Sequence, residues 1–123
     1  MQGILYNIYA DRLLNLNFIP QDVYDMQSAF YPTAQAGKYA VPLDTRHNWA
    51  KSDWEMFAAA VAGNETQKMF ISKQARWINE TPTNRPMTDL FDAESGDFPR
   101  DGPTFVARPV MGAMFALLAL PKD

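Results

Sequence analysis

Ser52-Asp-Trp-Glu-Met-Phe-Ala-Ala-Ala-Val-Ala-Gly-Asn-Glu-Thr-Gln67 reads as one helix closing and another opening almost at once. Ser52 and Glu55 stand at the spacing of a capping box, in which serine accepts from a backbone N–H and glutamate reaches back. The first helix is expected over Ser52 to Ala62, with Gly63 as its stop. Asn64 then caps a second helix, Glu65 to Asn79, with Gln67 at the reaching-back position. Met69, Phe70, Trp77 and Ile78 recur at helical spacing and are expected to face inward. Two helices joined by so short a turn must lie antiparallel, as a helical hairpin.

Upstream, Gly3 to Leu16 reads as a helix, because Ile4, Ile8 and Leu5, Tyr9, Leu13 repeat at i, i+4. It starts without an N-cap, as though continuing something before it, and Asn17 and Pro20 end it. Gln21 to Ala34 is the next helix, with Val23, Met26 and Phe30 as its inward stripe. Pro32 shortens or kinks its last turns. Ala36 to Ala50, marked by Gly37 and Pro42, is a loop.

Downstream, Thr81 to Pro109 is rich in proline and is expected to be a long ordered loop, with short strands around Met87–Phe91 and Thr104–Ala107. Pro109 opens a last helix at a favoured position. Val110, Met111, Met114, Phe115, Leu117 and Leu118 leave that helix almost no polar face, so it is expected to be buried all round. A chain this short cannot easily hide such a helix by itself. The fold class is therefore all-α: paired helical hairpins belonging to a larger domain.

The composition suits a single domain of 123 residues, 47% hydrophobic and carrying a net charge of -3. The mild acidity and the lack of a basic stripe argue against nucleic acid. Without cysteine, disulfides and thiolate metal sites are excluded. One histidine and no acid spacing of ligand type argue against a metal, and no motif calls for a cofactor. Met1 to Asn7 lacks the basic region and apolar core of a signal peptide. Val110 to Leu120 is shorter than the ~20 residues a bilayer span needs, so no membrane association is expected.

Five stretches carry a resemblance over nearly the whole chain: Tyr6-Asn-Ile-Tyr-Ala-Asp-Arg-Leu-Leu14, Val23-Tyr-Asp-Met-Gln-Ser-Ala-Phe-Tyr-Pro32, Val41-Pro-Leu-Asp-Thr-Arg46, Lys51-Ser-Asp-Trp-Glu-Met-Phe57 and Trp77-Ile-Asn-Glu-Thr-Pro82. Together with Phe105-Val-Ala-Arg-Pro-Val110, they resemble the C-terminal part of the fungal glutaminase A family. The resemblance implies a six-hairpin α/α toroid, similar to that of several glycoside hydrolases. It also implies a longer, secreted enzyme that hydrolyses glutamine to glutamate and ammonia. Residues 1–123 would then be a partial C-terminal segment of that toroid, partnered by upstream domains and incomplete alone. A glycoside hydrolase segment and a non-catalytic structural segment stay open as alternatives.

The chemistry crowds between Val41 and Glu55. Asp44, Asp53 and Glu55 are the candidate catalytic carboxyls, since amide or glycoside hydrolysis can use one as base and another as acid. Asp53 and Glu55 lie about 200° apart around a helix, so they cannot easily face one substrate together. Glu55 also has the capping role, and Asp53 also favours the helix dipole. Arg46 can fork onto a substrate carboxylate while Asp44 holds an amine, or the two can pair and pin their own loop. His47 can shuttle protons or merely pack at the surface. Lys51 can neutralise an oxyanion or pair with Asp53. Trp49 and Trp54 can line a pocket for a sugar or an amide side chain, or fill the core. Asp11, Arg12, Asp25 and Gln27 read as polar contacts between helices. Asn64-Glu-Thr66 and Asn79-Glu-Thr81 match the N-glycosylation acceptor pattern, the second weakened by Pro82.

Overall fold

The computed structural model describes residues 3–34 and 36–121, and in it the helical hairpins form with shifted boundaries. A 3-10 turn, Tyr6–Ile8, leads into α1 (Tyr9–Leu13). The expected start at Gly3 is corrected: Gly3 forms a bridge with Asp44, and the Ile4 amide donates to the Leu43 carbonyl. The end comes early as well. Asn15 and Asn17 take left-handed φ of 52° and 53°, which asparagine tolerates and a helix does not. The Asp11 carboxylate accepts from the Tyr24 hydroxyl at 2.7 Å and the Phe18 amide at 2.8 Å, tying α1 to the next helix.

α2 (Gln21–Phe30) stops just before Pro32, as its sequence requires. Of its expected inward stripe, Val23 and Phe30 are half-buried, Phe30 against the core, and Met26 is not. Tyr24 and, just past its end, Tyr31 are buried, whereas Met26 is 61% exposed. The loop after α2 contains a strand that periodicity did not reveal, β1 (Trp49–Lys51). α3 (Ser52–Val61) follows it directly, and an extended Ala62–Gly63 turn leads to α4 (Asn64–Glu80). Small Ala58 and Ala59, both buried, let α3 lie close to its neighbours. On α4 the buried face is Thr66, Phe70, Gln74 and Trp77, at spacings of four, four and three, with Met69 half-buried. Ile78, expected inward, is 51% exposed because Gln74 and Trp77 already hold that face.

Both capping assignments are corrected. β1 runs straight into α3, so the Ser52 amide continues the sheet by donating to the Asp89 carbonyl at 2.9 Å. The Ser52 hydroxyl turns to Met111 Sδ at 3.5 Å, and the Glu55 carboxyl points into the core. At the next helix Asn64 lies inside the first turn, and Gly63 holds the cap position. The Gly63 amide is satisfied by Ser28 Oγ at 2.8 Å, and Gln67 Nε2 donates to the Ala59 carbonyl at 3.0 Å.

The long loop does hold one strand, β2 (Leu90–Asp92), near the first expected position. It pairs antiparallel with β1 in the register Trp49↔Asp92, Ala50↔Phe91, Lys51↔Leu90. No strand forms at Thr104–Ala107; Ala107 instead takes a left-handed φ of 50°. Beyond it a 3-10 helix, Pro109–Phe115, passes into the single turn α5 (Ala116–Ala119). Ala113 and Ala116 are buried against the rest of the chain, but Phe115 is 66% and Leu118 75% exposed. The expectation of burial all round is therefore not met within these residues.

α3 lies at the centre, between α4 on one side and the Pro109–Ala119 segment on another. Tyr31, Val41, Ala58, Ala59 and Phe70 form one core, and Tyr39, Ala50, Trp77, Phe91 and Ala93 form a second. Phe70 and Phe91 are fully buried, and each contributes roughly 1.5–3 kcal/mol of transfer free energy. Gly96 has a φ of 74° and sits where a side chain would press on the Tyr39 and Trp77 rings. Its carbonyl accepts from Trp77 Nε1 at 2.9 Å, so this turn locks the second core. Among the described residues no helix is long and apolar enough to cross a membrane.

Candidate functional site

The register of the two-stranded sheet builds a charged cluster. Trp49 and Lys51 share one face of β1, while Ala50 on the other face is fully buried. Because Lys51 pairs with Leu90, its side chain reaches the residue just before β2, Asp89. Lys51 Nζ donates to Asp89 Oδ2 at 2.7 Å and lies 3.3 Å from Asp53 Oδ1. The second contact is an ion pair off the hydrogen-bond line, which leaves Asp53 Oδ1 buried without a hydrogen bond. Arg108 closes the cluster. The Ala107 amide donates to the Met87 carbonyl at 2.8 Å, and the left-handed turn at Ala107 brings Arg108 back to Asp89. Its Nε donates to Asp89 Oδ1 at 2.9 Å and its Nη2 to Asp89 Oδ2, a bidentate fork. The guanidinium also stacks 3.6 Å from the Phe105 ring centre.

The two carboxyls respond oppositely to this setting. Burial raises Asp89's proton affinity, but the Arg108 and Lys51 bonds and charges outweigh it and hold the group at about 2. Burial also raises Asp53; Lys51 offsets this only in part, the Asp89 charge adds to it, and Asp53 ends above its ordinary value. A carboxyl with raised proton affinity beside a lysine can take a proton from water and pass it on. The Lys51 ammonium can stabilise an oxyanion formed next to it.

The other expected site residues are spread out. Asp44 accepts from the Arg46 amide at 2.8 Å, from Arg46 Nε at 2.9 Å and from Arg46 Nη2. Those Arg46 bonds hold the Asp44 carboxyl below its usual range. Asp44 borders a cleft of about 240 Å³ lined also by Phe30, Thr33, Val41 and Thr45. His47 stacks on Trp49, ring centres 4.2 Å apart, and Trp54 stacks on Tyr6 at 4.0 Å. Glu55 is completely buried, and neither of its oxygens makes a hydrogen bond of full geometry. Burial drives its proton affinity well up, and the Val41 amide and Lys73 charge oppose this only partly. The structure thus brings Lys51 and Asp53 together, with Trp49 on the same strand face. It leaves Asp44–Arg46 as a separate surface pair and Glu55 in the core. Among the described residues no three His, Asp or Glu side chains converge in a metal-binding arrangement.

Asp89 and Arg108 were not foreseen. The signal for Asp89 was an acid set between Thr88 and Leu90 inside a strand candidate. Such an acid must be buried with a cation. Arg108 gave less, a lone base before Pro109, and only the fold shows that it meets Asp89.

The glutaminase A six helical-hairpin domain matches residues 2–118. The chain is 61% identical over 118 residues to glutaminase A of Aspergillus oryzae, covering 96% of this chain and 17% of that protein. It is 47% identical over 106 residues to a probable glutaminase of Arthroderma benhamiae, covering 85% of this chain and 12% of that protein. The chain therefore spans a sixth or less of the length of these relatives. No solved structure matches it. An all-α hairpin architecture and a family match over nearly its whole length lead to one assignment: the chain belongs to the glutaminase A six helical-hairpin family.

Proposed function

We propose that this chain is part of a longer, secreted amidohydrolase that releases ammonia from L-glutamine, with the Lys51–Asp53–Asp89–Arg108 cluster at the substrate cleft. The names of the relatives support the substrate class. The observation that carries the chemistry is Asp53, a buried carboxyl whose Oδ1 is ion-paired to the Lys51 ammonium at 3.3 Å without a hydrogen bond. In this reading water attacks the side-chain amide carbon while Asp53 takes the water proton. Lys51 stabilises the oxyanion. The C–N bond then breaks and Asp53 returns the proton to the departing ammonia. The His47–Trp49 stack lies on the segment that leads into Lys51. Asp44–Arg46, whose groups already satisfy each other, fixes the loop that carries them.

The test is ammonia release from glutamine, against sugar release from oligosaccharides, by a longer protein carrying this segment. Asp53→Asn is expected to lower kcat by roughly 10²–10⁴-fold, the usual contribution of a general acid–base group, with KM little changed. Sugar release without ammonia, or normal turnover by the folded variant, overturns the reading. One observation favours a second reading, a packing segment without chemistry of its own: the apolar side chains Phe115 and Leu118 stand exposed. Unchanged glutamine turnover in every folded variant of the cluster would establish that alternative.

A further inference from the structure

We infer that Asp89, locked by the Arg108 fork, is a positioning residue that divides Lys51 between two carboxyls and thereby keeps Asp53 open for proton transfer. The inference rests on the acid–base reading of Asp53, but its geometry stands apart from any substrate.

Three observations carry it. Asp89 is fully buried, and both its oxygens are occupied, one by Arg108 Nε and the other by Arg108 Nη2 and Lys51 Nζ. Its backbone is pinned as well: its carbonyl accepts from the Ser52 amide, and Thr88 Oγ1 accepts from the Leu90 amide at 3.1 Å. Asp89 therefore offers Lys51 a fixed acceptor. Lys51 takes its 2.7 Å bond there and stands off Asp53 at 3.3 Å. An ammonium free to choose would bond a buried carboxylate squarely, as charge-assisted pairs do at 2.7–2.9 Å. Anchored there, the ammonium aims no N–H squarely at Asp53 Oδ1, which stays buried without a hydrogen bond.

The charged groups facing Asp53 are Lys51 beside it on β1, Asp89 before β2, and Arg108 ahead of the 3-10 helix. Each displacement of Lys51 consequently has a sign. Asp89→Asn removes a negative neighbour and frees Lys51 to pair fully with Asp53, so Asp53 should titrate at lower pH. Arg108→Gln leaves Asp89 with one cation, draws Lys51 toward it, and should move the Asp53 titration upward. Arg108→Lys separates geometry from charge: it keeps the charge and loses the fork. A positioning role predicts the upward shift of Arg108→Gln, smaller in size. A purely electrostatic role predicts the wild-type value.

The experiment is a carboxyl carbon-13 NMR titration of Asp53 in the 123-residue chain and the three variants, with resonances assigned through Asp53→Asn. Opposite shifts for Asp89→Asn and Arg108→Gln, with Arg108→Lys following Arg108→Gln, are expected. A wild-type midpoint in Arg108→Lys, or shifts of one sign in both other variants, overturns the inference. If Asp89→Asn does not fold, the two substitutions at Arg108, which is 38% exposed, decide the matter by themselves. Since no substrate is present, a positive titration with no ammonia release by the longer protein would sink the glutaminase reading and leave the positioning intact.

Discussion

Glu55 and Asp89 are both completely buried carboxyls, and their surroundings drive them in opposite directions. Asp89 has two cations and bonds to both oxygens, so it stays ionised down to about 2. Glu55 has only the distant help of Lys73 and the Val41 amide, and it stays protonated well above the ordinary glutamate range. The Lys73 ammonium is engaged elsewhere, donating to the Gly37 carbonyl. Both are closed to solvent, but Glu55 is enclosed more deeply by protein. Depth and the number of fixed donors together decide which charge state the fold selects.

The largest consequence concerns removing each group. Asp89→Asn leaves Arg108 and Lys51 short of a counter-charge. Breaking a wholly buried pair costs about 3–5 kcal/mol; Arg108 reaches solvent and Lys51 keeps Asp53, so roughly 2–3 kcal/mol is expected. Glu55→Met replaces an unbonded buried carboxyl with an apolar side chain and should stabilise the fold at neutral pH by roughly 1–3 kcal/mol. Urea midpoints of the two variants measure the contrast. If Glu55→Met proves as destabilising as Asp89→Asn, then Glu55 has a bonded partner and the comparison collapses.

The pH dependence of stability follows from the same pair and is a smaller effect. Asp89 binds its proton less tightly folded than unfolded. Its contribution is present above the unfolded value of about 3.9 and is lost as pH falls toward 2. Glu55 binds its proton more tightly folded than unfolded. Its contribution is full below the unfolded value of about 4.3 and is lost as pH rises toward the raised folded value. Asp53 acts in the same direction as Glu55. The opposing slopes meet near pH 4, so the melting temperature of this chain should peak in mild acid. Glu55→Gln should flatten the decline above that peak. A melting temperature that climbs steadily from pH 4 to 7 would show that Glu55 ionises freely in the fold.

The contrast also explains what could be read from the residues alone. The α3/α4 hairpin was legible because Phe70 and Trp77 repeat at the helical period, and Ala62–Gly63 breaks it. The early stop of α2 was legible in Pro32. Of the sheet, β2 was legible near Met87–Phe91, but β1 and the pairing were not, since a three-residue strand is too short to show a period of two and both long helices separate β1 from β2. The cluster failed to show for the same reason: Lys51, Asp89 and Arg108 meet only through that register. Glu55 misled in a different way. Its spacing from Ser52 is that of a capping pair, and nothing local indicates that β1 has already claimed the Ser52 amide.

The smallest expected effect tests that last point. A capping serine is worth about 0.5–2 kcal/mol, but here the Ser52 hydroxyl meets only Met111 Sδ at 3.5 Å. Sulfur is a weak acceptor, so Ser52→Ala should cost about 0.5 kcal/mol or less. The decisive quantity is the coupling with Glu55→Gln in a double-mutant cycle. Reciprocal capping would make the two residues interact by roughly 0.5 kcal/mol or more, whereas independent sites add to within about 0.3–0.5 kcal/mol. Chemical denaturation of the wild type, both single variants and the double variant should show near-additivity. Ser52 then belongs with the Asp89 side of the molecule, through its amide, and Glu55 with the core. A clear coupling would join the two regions through α3, and the opposite behaviour of their carboxyls would need a common cause.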